Sequence, residues 1–265
     1  MLSIAVYAAG IVRLWRNAGY GSGVRPIEAF AFATGWVALA IAVSSPLDEW
    51  SEQSLAAHMV QHELLMVVAA PLMALGGPLL AVLWAMPLRL RRAAIHTVQQ
   101  TPVPSVWKAI TTPASGFLLY GLALWIWHMP ALYDEALGHE AVHALQHLCF
   151  FGTAALFWWG IMHGRHGRTG YGAAVLYLFV TAIHGGLLGA LLTVSPRVWY
   201  APYLGHHPAG LTPLEDQQLA GLLMWVPGGL AFVAGGLFLF AAWLRQSDRV
   251  SPFKSAPVLR PGNIR

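Results

Sequence analysis

Apolar residues in this chain come in long unbroken runs, and the polar residues gather at the ends of those runs. Amphipathic helices would show an apolar position every three or four residues, and half-buried strands would alternate. Neither pattern runs through 2–15, 27–44, 55–75, 112–128, 142–162, 171–192 and 217–244. Several of these stretches approach the roughly 20 residues that a bilayer crossing requires. The pattern therefore predicts an all-α fold, a polytopic membrane helix bundle of about seven transmembrane helices. The run at 2–15 is short for a crossing and would have to tilt; with no basic segment before it and no small-x-small site after it, it reads as a helix and not a signal peptide. Segment 78–88, PLLAVLWAMPL, is too short and proline-bounded for an eighth crossing and reads as interfacial or re-entrant. Residues 1–245 then make a single transmembrane helical domain and 246–265 a flexible cytoplasmic tail.

Composition agrees. Of 265 residues, 57% are hydrophobic and 10% charged, with a mean hydropathy of +0.57; a soluble domain carries roughly 25% charged residues. The single cysteine, Cys149, excludes an internal disulfide framework and any Cys-x-x-Cys metal clip. A pI near 9.5 would suggest nucleic acid for a soluble protein. In a chain surrounded by lipid the placement of the basic residues matters more than their total, and no nucleic-acid partner is expected. Arg13, Arg16, Arg25, Arg89, Arg91, Arg92, Lys108, Arg165, Arg168, Arg245, Arg249, Lys254, Arg260 and Arg265 fall in one set of loops and ends, and Arg197 falls in the other. The positive-inside rule then puts the N-terminus outside and the C-terminus in the cytoplasm. Asp48, Glu49, Glu52, Asp134, Glu135, Glu140, Glu215 and Asp216 come out on the external side, a weaker signal in the same direction.

Twelve histidines are many for so apolar a chain. With the orientation fixed, His58, His62, His128, His139, His143, His147, His206 and His207 lie on the outer side and His184 inside the sixth run, while His96, His163 and His166 face inward. At 1.5 Å rise per residue, His62, His147 and Met224 fall roughly 10 Å below the outer ends of their helices and His184 roughly 12 Å. Polar groups at one level in hydrocarbon are expected to turn inward. The third and fifth runs also enter on the same spacing, His58-Met-Val-Gln61-His62 and His143-Ala-Leu-Gln146-His147. Each puts an i, i+4 imidazole pair on one face, able to chelate one ion or line a short path. His139 extends the second ladder outward and Met66 extends the first inward, whereas Cys149 faces away from His147. His139, His206 and His207 sit in or beside loops and read first as solvated groups; Met73, Met86 and Met162 read as packing. An ionised Glu63 inside a span costs about 2.5–3.5 kcal/mol, so it is expected to be a ligand, a proton acceptor for an imidazole, or a snorkelling residue.

The string HMVQHELLM at 58–66 comes close to the His-Glu-x-x-His of zinc proteases, but Met66 stands where the second histidine would be. Imidazole suits zinc, copper, iron and nickel, while thioether favours Cu(I). Histidines beside Met59, Met66, Met129 and Met224, with no usable thiol, fit copper better than zinc.

The segments SPLD (45–48), HMVQHELLM with the following PL (58–72), WHMPALYD (127–134), HALQHL (143–148) and DQQLAGLLMW (216–225) together resemble the CtaG family of cytochrome c oxidase assembly factors, the seven-helix membrane type. The resemblance runs in order from about residue 40 to 230. It implies a non-enzymatic role in maturing a haem-copper oxidase in the bacterial cytoplasmic (inner) membrane, with copper delivered to the oxidase copper centre. The family's histidines match His58, His62, His128, His143 and His147, with Asp216 and Met224 in the last run. Copper would arrive from an external donor protein near His128, His139 and His143, and pass by ligand exchange to His62, His147, His184 and Met224. A neighbouring oxidase subunit would then take it laterally. Asp216 and Glu63 would balance charge, and Gln61 and Gln146 would orient the imidazoles. Self-association is left open.

Four other readings share these residues. Histidines at matched depth also hold haem b through axial imidazoles, with Gly185, Gly186, Gly189 and Gly221 leaving room for the macrocycle or simply packing helices. A copper transport or resistance protein would need a polar path through the inner half of the spans, which the sequence does not offer. A metalloprotease would need a third ligand and an activated water. An assembly scaffold without metal is the plainest alternative.

Overall fold

The computed structural model describes residues 2–163 and 168–250, and every regular element among them is helical. The helices are α1 (Leu2–Ala18), α2 (Pro26–Ser44), α3 (Pro46–Ser51), α4 (Leu55–Glu63), α5 (Ala70–Leu75), α6 (Pro78–Ala85), α7 (Leu88–Gln99), α8 (Val103–Ile110), α9 (Pro113–Trp127), α10 (Pro130–Gly138), α11 (Glu140–His163), α12 (Arg168–Val194) and α13 (Pro213–Val250). Arg165, His166 and the tail beyond Val250, with Lys254, Arg260 and Arg265, lie outside the described residues.

Proline after a hydroxyl residue starts several of these helices. Ser45-Pro46, Thr112-Pro113 and Thr212-Pro213 each place proline where its missing N–H costs nothing, and the hydroxyl accepts a backbone N–H: from Leu47, Ser115 and Glu215. At Thr212 the Glu215 carboxylate reaches back to the Thr212 N–H at 2.8 Å, closing a capping box.

Five helical stretches are long and apolar enough to cross a membrane on their own: Pro26–Ser44, Leu55–Leu75, Glu140–His163, Gly170–Val194 and Pro213–Arg245. A sixth arises if α8 and α9, bent by 71° at their junction, count as one span. The run at 2–15 forms a 17-residue helix, and the one at 112–128 forms the 15-residue α9. Both are short for a perpendicular crossing.

Segment 78–88 folds as the eight-residue α6, with Ala81 fully buried against α1. Arg91 of α7 then lies over the Trp84 ring at 4.0 Å. None of α7 is buried.

The crossing Leu55–Leu75 joins α4 and α5 through a π-helical turn, Leu64–Ala69. The wider turn leaves the Met66 carbonyl free to accept the Trp158 indole N–H of α11 at 3.1 Å. α13 packs along α12, and glycines set that approach: a Cβ at Gly189 would lie 2.7 Å from the Gly221 carbonyl oxygen. The main core runs among α4, α9, α11, α12 and α13, and it contains Leu65, Phe150, Phe157, Leu188 and Leu192.

Candidate metal centre

The paired-histidine spacing does on α4 and α11 what helical geometry requires. The His58 and His62 rings lie 4.4 Å apart between centroids, and His143 and His147 lie 4.2 Å apart. The two faces also meet each other: His58 is 5.0 Å from His143 and 6.1 Å from His147, and His62 is 5.4 Å from His147. His128, at the C-terminal cap of α9, stands 6.1 Å from His62. Five imidazoles from three helices thus form one group. Within it, one ring nitrogen from each of His58, His143 and His147 lies within 4.8 Å of the others, close enough for three ligands to converge on an ion.

Hydrogen bonds decide which nitrogens are free. The Tyr203 hydroxyl donates to the Ser51 carbonyl at 2.8 Å, so its oxygen accepts from His58 Nδ1–H at 2.9 Å. Burial pushes the Tyr203 hydroxyl well above the usual phenol range, which keeps that proton in place. His128 Nδ1–H likewise donates to the Leu124 carbonyl at 2.7 Å. Each ring therefore turns an Nε2 lone pair into the group. The Nε2 atoms of His58, His62, His128, His143 and His147 are buried and have no hydrogen-bond partner. Buried polar atoms are ordinarily satisfied, and imidazole nitrogens of this kind are what a late first-row metal requires.

Aromatic residues wall the group. Phe150 packs on His62 at 4.6 Å and on His128 at 5.7 Å. Tyr133 lies 5.1 Å from His58 and stacks on Tyr200 at 4.0 Å, and the Tyr200 hydroxyl donates to the His128 carbonyl at 3.1 Å. Tyr200 and Tyr203 come from the loop between α12 and α13, which folds over the site and buries both rings.

Beyond His62 the site continues into a cavity of ≈ 20 Å³ lined by Met59, His62, Glu63, Met66, His128 and Met224, among others. Tyr120 and Gly228 also line it. A Cβ at Gly228 would lie 2.9 Å from Glu63 Oε2, so only glycine lets α13 press against that carboxyl.

The other predicted residues are placed differently. His184 has ring contacts with Phe117 and Tyr120 at 5.9 and 6.4 Å, on the α9 side, and is not brought against the five imidazoles. Asp216 was expected to balance charge; its carboxylate caps α4, accepting from Ser54 Oγ at 2.7 Å and the Leu55 N–H at 2.6 Å. The reason is the helix N-terminus, whose free N–H groups and dipole attract an anion. Gln61 was expected to orient an imidazole, yet its amide N–H₂ donates to the Ala42 carbonyl and to Asp48 at 2.7 and 2.6 Å, tying α4 to α2 and α3. Gln146 is fully buried with neither amide atom partnered. His139 is exposed and faces Glu135 at 3.4 Å. His206 bonds the Pro202 carbonyl, as a loop histidine does.

Sequence reasoning missed Tyr133, Tyr200, Tyr203 and Ser51. Tyr133 stands inside the WHMPALYD segment, but nothing in the sequence ties the loop tyrosines to His58.

No solved structure matches the chain. One relative, Uncharacterized protein ML1998 of Mycobacterium leprae (strain TN), is 26% identical over 259 residues, which cover 92% of this chain and 38% of that protein. The chain thus spans well under half the length of this relative. The family model for the cytochrome c oxidase caa3 assembly factor matches residues 5–246, nearly the whole chain, including every histidine of the buried group, and the chain belongs to the CtaG family of cytochrome c oxidase assembly factors.

Proposed function

We propose that this protein binds copper at its buried histidine group and delivers it to the copper centre of a haem-copper oxidase during assembly. It does so as a multi-pass protein of the bacterial cytoplasmic membrane, with seven crossings and the N-terminus outside. α1 and α9 complete the seven by tilting or by joining the short helices beside them. The role is that of a carrier and not an enzyme.

One observation carries the copper reading: five imidazoles converge, each with a buried Nε2 that no protein group satisfies. The ion supplies the positive centre these lone pairs lack. The rest follows from the residues around it. Tyr203 and the Leu124 carbonyl hold His58 and His128 in one tautomer, and the aromatic wall keeps water from competing for the ion. Neighbouring imidazoles allow transfer by exchange of one ligand at a time.

The haem reading gains less support. The cavity beside His62 is ≈ 20 Å³, about the space of one water or ion and far below a macrocycle. Gly189 and Gly221 are occupied in helix packing.

Elemental analysis of detergent-purified protein, beside a visible spectrum, tests the proposal. Wild type is expected to carry copper without a reducible Soret band. The His62→Ala/His147→Ala double variant is expected to lose the copper held by the histidine group, and full copper occupancy in that variant would rule the assignment out.

A further inference from the structure

Three methionines and one carboxylate lie beyond the three-imidazole group and take no part in it. Met59, Met66 and Met224 line the ≈ 20 Å³ cavity together with Glu63, His62 and His128. All three methionines are buried, at 1%, 4% and 7% exposure. On α4 and its π turn, residues 59, 62, 63 and 66 follow helical spacing, so one stripe supplies thioether, imidazole, carboxylate and thioether; α13 adds Met224 from across the cavity.

We propose that this cavity is a second metal compartment, inward of the His58–His143–His147 group and selective for a soft monovalent cation, Cu(I). The thioethers and the two imidazoles bind the ion and Glu63 neutralises it. The inference rests on the copper reading above and adds to it a separate inner site with its own selectivity.

The chemistry of the lining sets that selectivity. Thioether sulfur is a neutral, polarisable donor that favours Cu(I) and gains little from zinc. One carboxylate matches one positive charge, whereas a divalent ion there would leave net charge inside the helix bundle. His62 is 3% exposed, and neither of its ring nitrogens has a partner. It lines the cavity while its ring stands 4.4 Å from His58 and 5.4 Å from His147. A single imidazole therefore borders both compartments, and an ion can pass between them without entering water. His128 lines the same cavity and has a free Nε2, its Nδ1 being held by Leu124.

Methionine is also a common filler of irregular core space, and the experiment separates the two roles. Purified full-length protein is loaded with Zn(II), as the probe of the imidazole group, then titrated with Ag(I) against a competing chelator. Silver serves as a redox-inert substitute for Cu(I). Wild type is expected to take up one Ag(I) beside the Zn(II), with sulfur among the silver neighbours in X-ray absorption. The Met59→Leu/Met66→Leu/Met224→Leu variant conserves side-chain volume closely enough to fold. It is expected to keep Zn(II) and lose Ag(I) affinity by at least about 100-fold, and Glu63→Gln by about 10–100-fold. An unchanged silver affinity in the triple variant, or wild-type silver surrounded only by nitrogen and oxygen, overturns the inner site and leaves the imidazole site standing. Zinc loading that fails while sulfur-bound silver persists would instead remove the outer group and keep the inner one.

Discussion

The Tyr203 hydroxyl sits 2.9 Å from His58 Nδ1 and fixes that ring's tautomer, because its own proton is already donated to Ser51. A loop far from α4 in sequence thereby decides which nitrogen His58 offers. In Tyr203→Phe the ring can flip or take the other tautomer. Metal affinity is expected to fall by about 10–100-fold, as when other partners of ligating histidines are removed, with the helical content unchanged. Competition titration with a chromophoric chelator measures this; an affinity equal to wild type would show that Tyr203 has no part in orienting His58.

Asp216 acts on the same crossing at its first turn. Replacing it by alanine leaves buried N–H groups at the start of α4 without an acceptor. The expected cost is about 1–3 kcal/mol, read as a lower unfolding midpoint in detergent. The folded fraction should still bind metal, since Asp216 lies at the helix start and outside the imidazole group.

The glycine seam between α12 and α13 gives a contrast within one helix. Gly189→Val drives a side chain into the Gly221 backbone and is expected to destabilise by about 1–3 kcal/mol. Gly185→Ala adds a methyl where nothing lies within 4 Å and should be neutral. Equal unfolding midpoints for the two variants would contradict this account of the packing.

Orientation is open to a direct check. In a Cys149→Ser background, His207→Cys in the loop over the site should react with an impermeant thiol reagent from outside the cell. Ala94→Cys on α7 should react only after the membrane is opened. The reverse pattern would invert the topology.

The residues that could be read from sequence are those whose spacing is local. The pairs His58/His62 and His143/His147 declare a shared face through i, i+4 alone, and five of the apolar runs form helices long enough to cross a membrane on their own. Met224 joined the site through a depth argument that needed only helical rise, Met66 by continuing the His58/His62 spacing one turn inward, and His128 through the family resemblance. Long-range partnerships were not legible: Asp216 capping α4, Gln61 bonding Asp48 and Tyr203 holding His58 each link segments whose approach only tertiary packing decides. His184 shows the limit of depth reasoning, since a residue at the right level can face another side of its helix, here toward Phe117 and Tyr120. The short helices α3, α7, α8 and α10 escaped notice because the apolar-run criterion finds crossings and not the amphipathic turns between them.

The central claim is that the converging imidazoles hold copper. Copper per chain, measured by elemental analysis after loading and desalting of wild type and of His58→Ala/His143→Ala/His147→Ala, tests it most directly. The account predicts at least one copper per wild-type chain, and the loss of one equivalent in the triple variant. Equal copper in both proteins, or none in wild type, would contradict it.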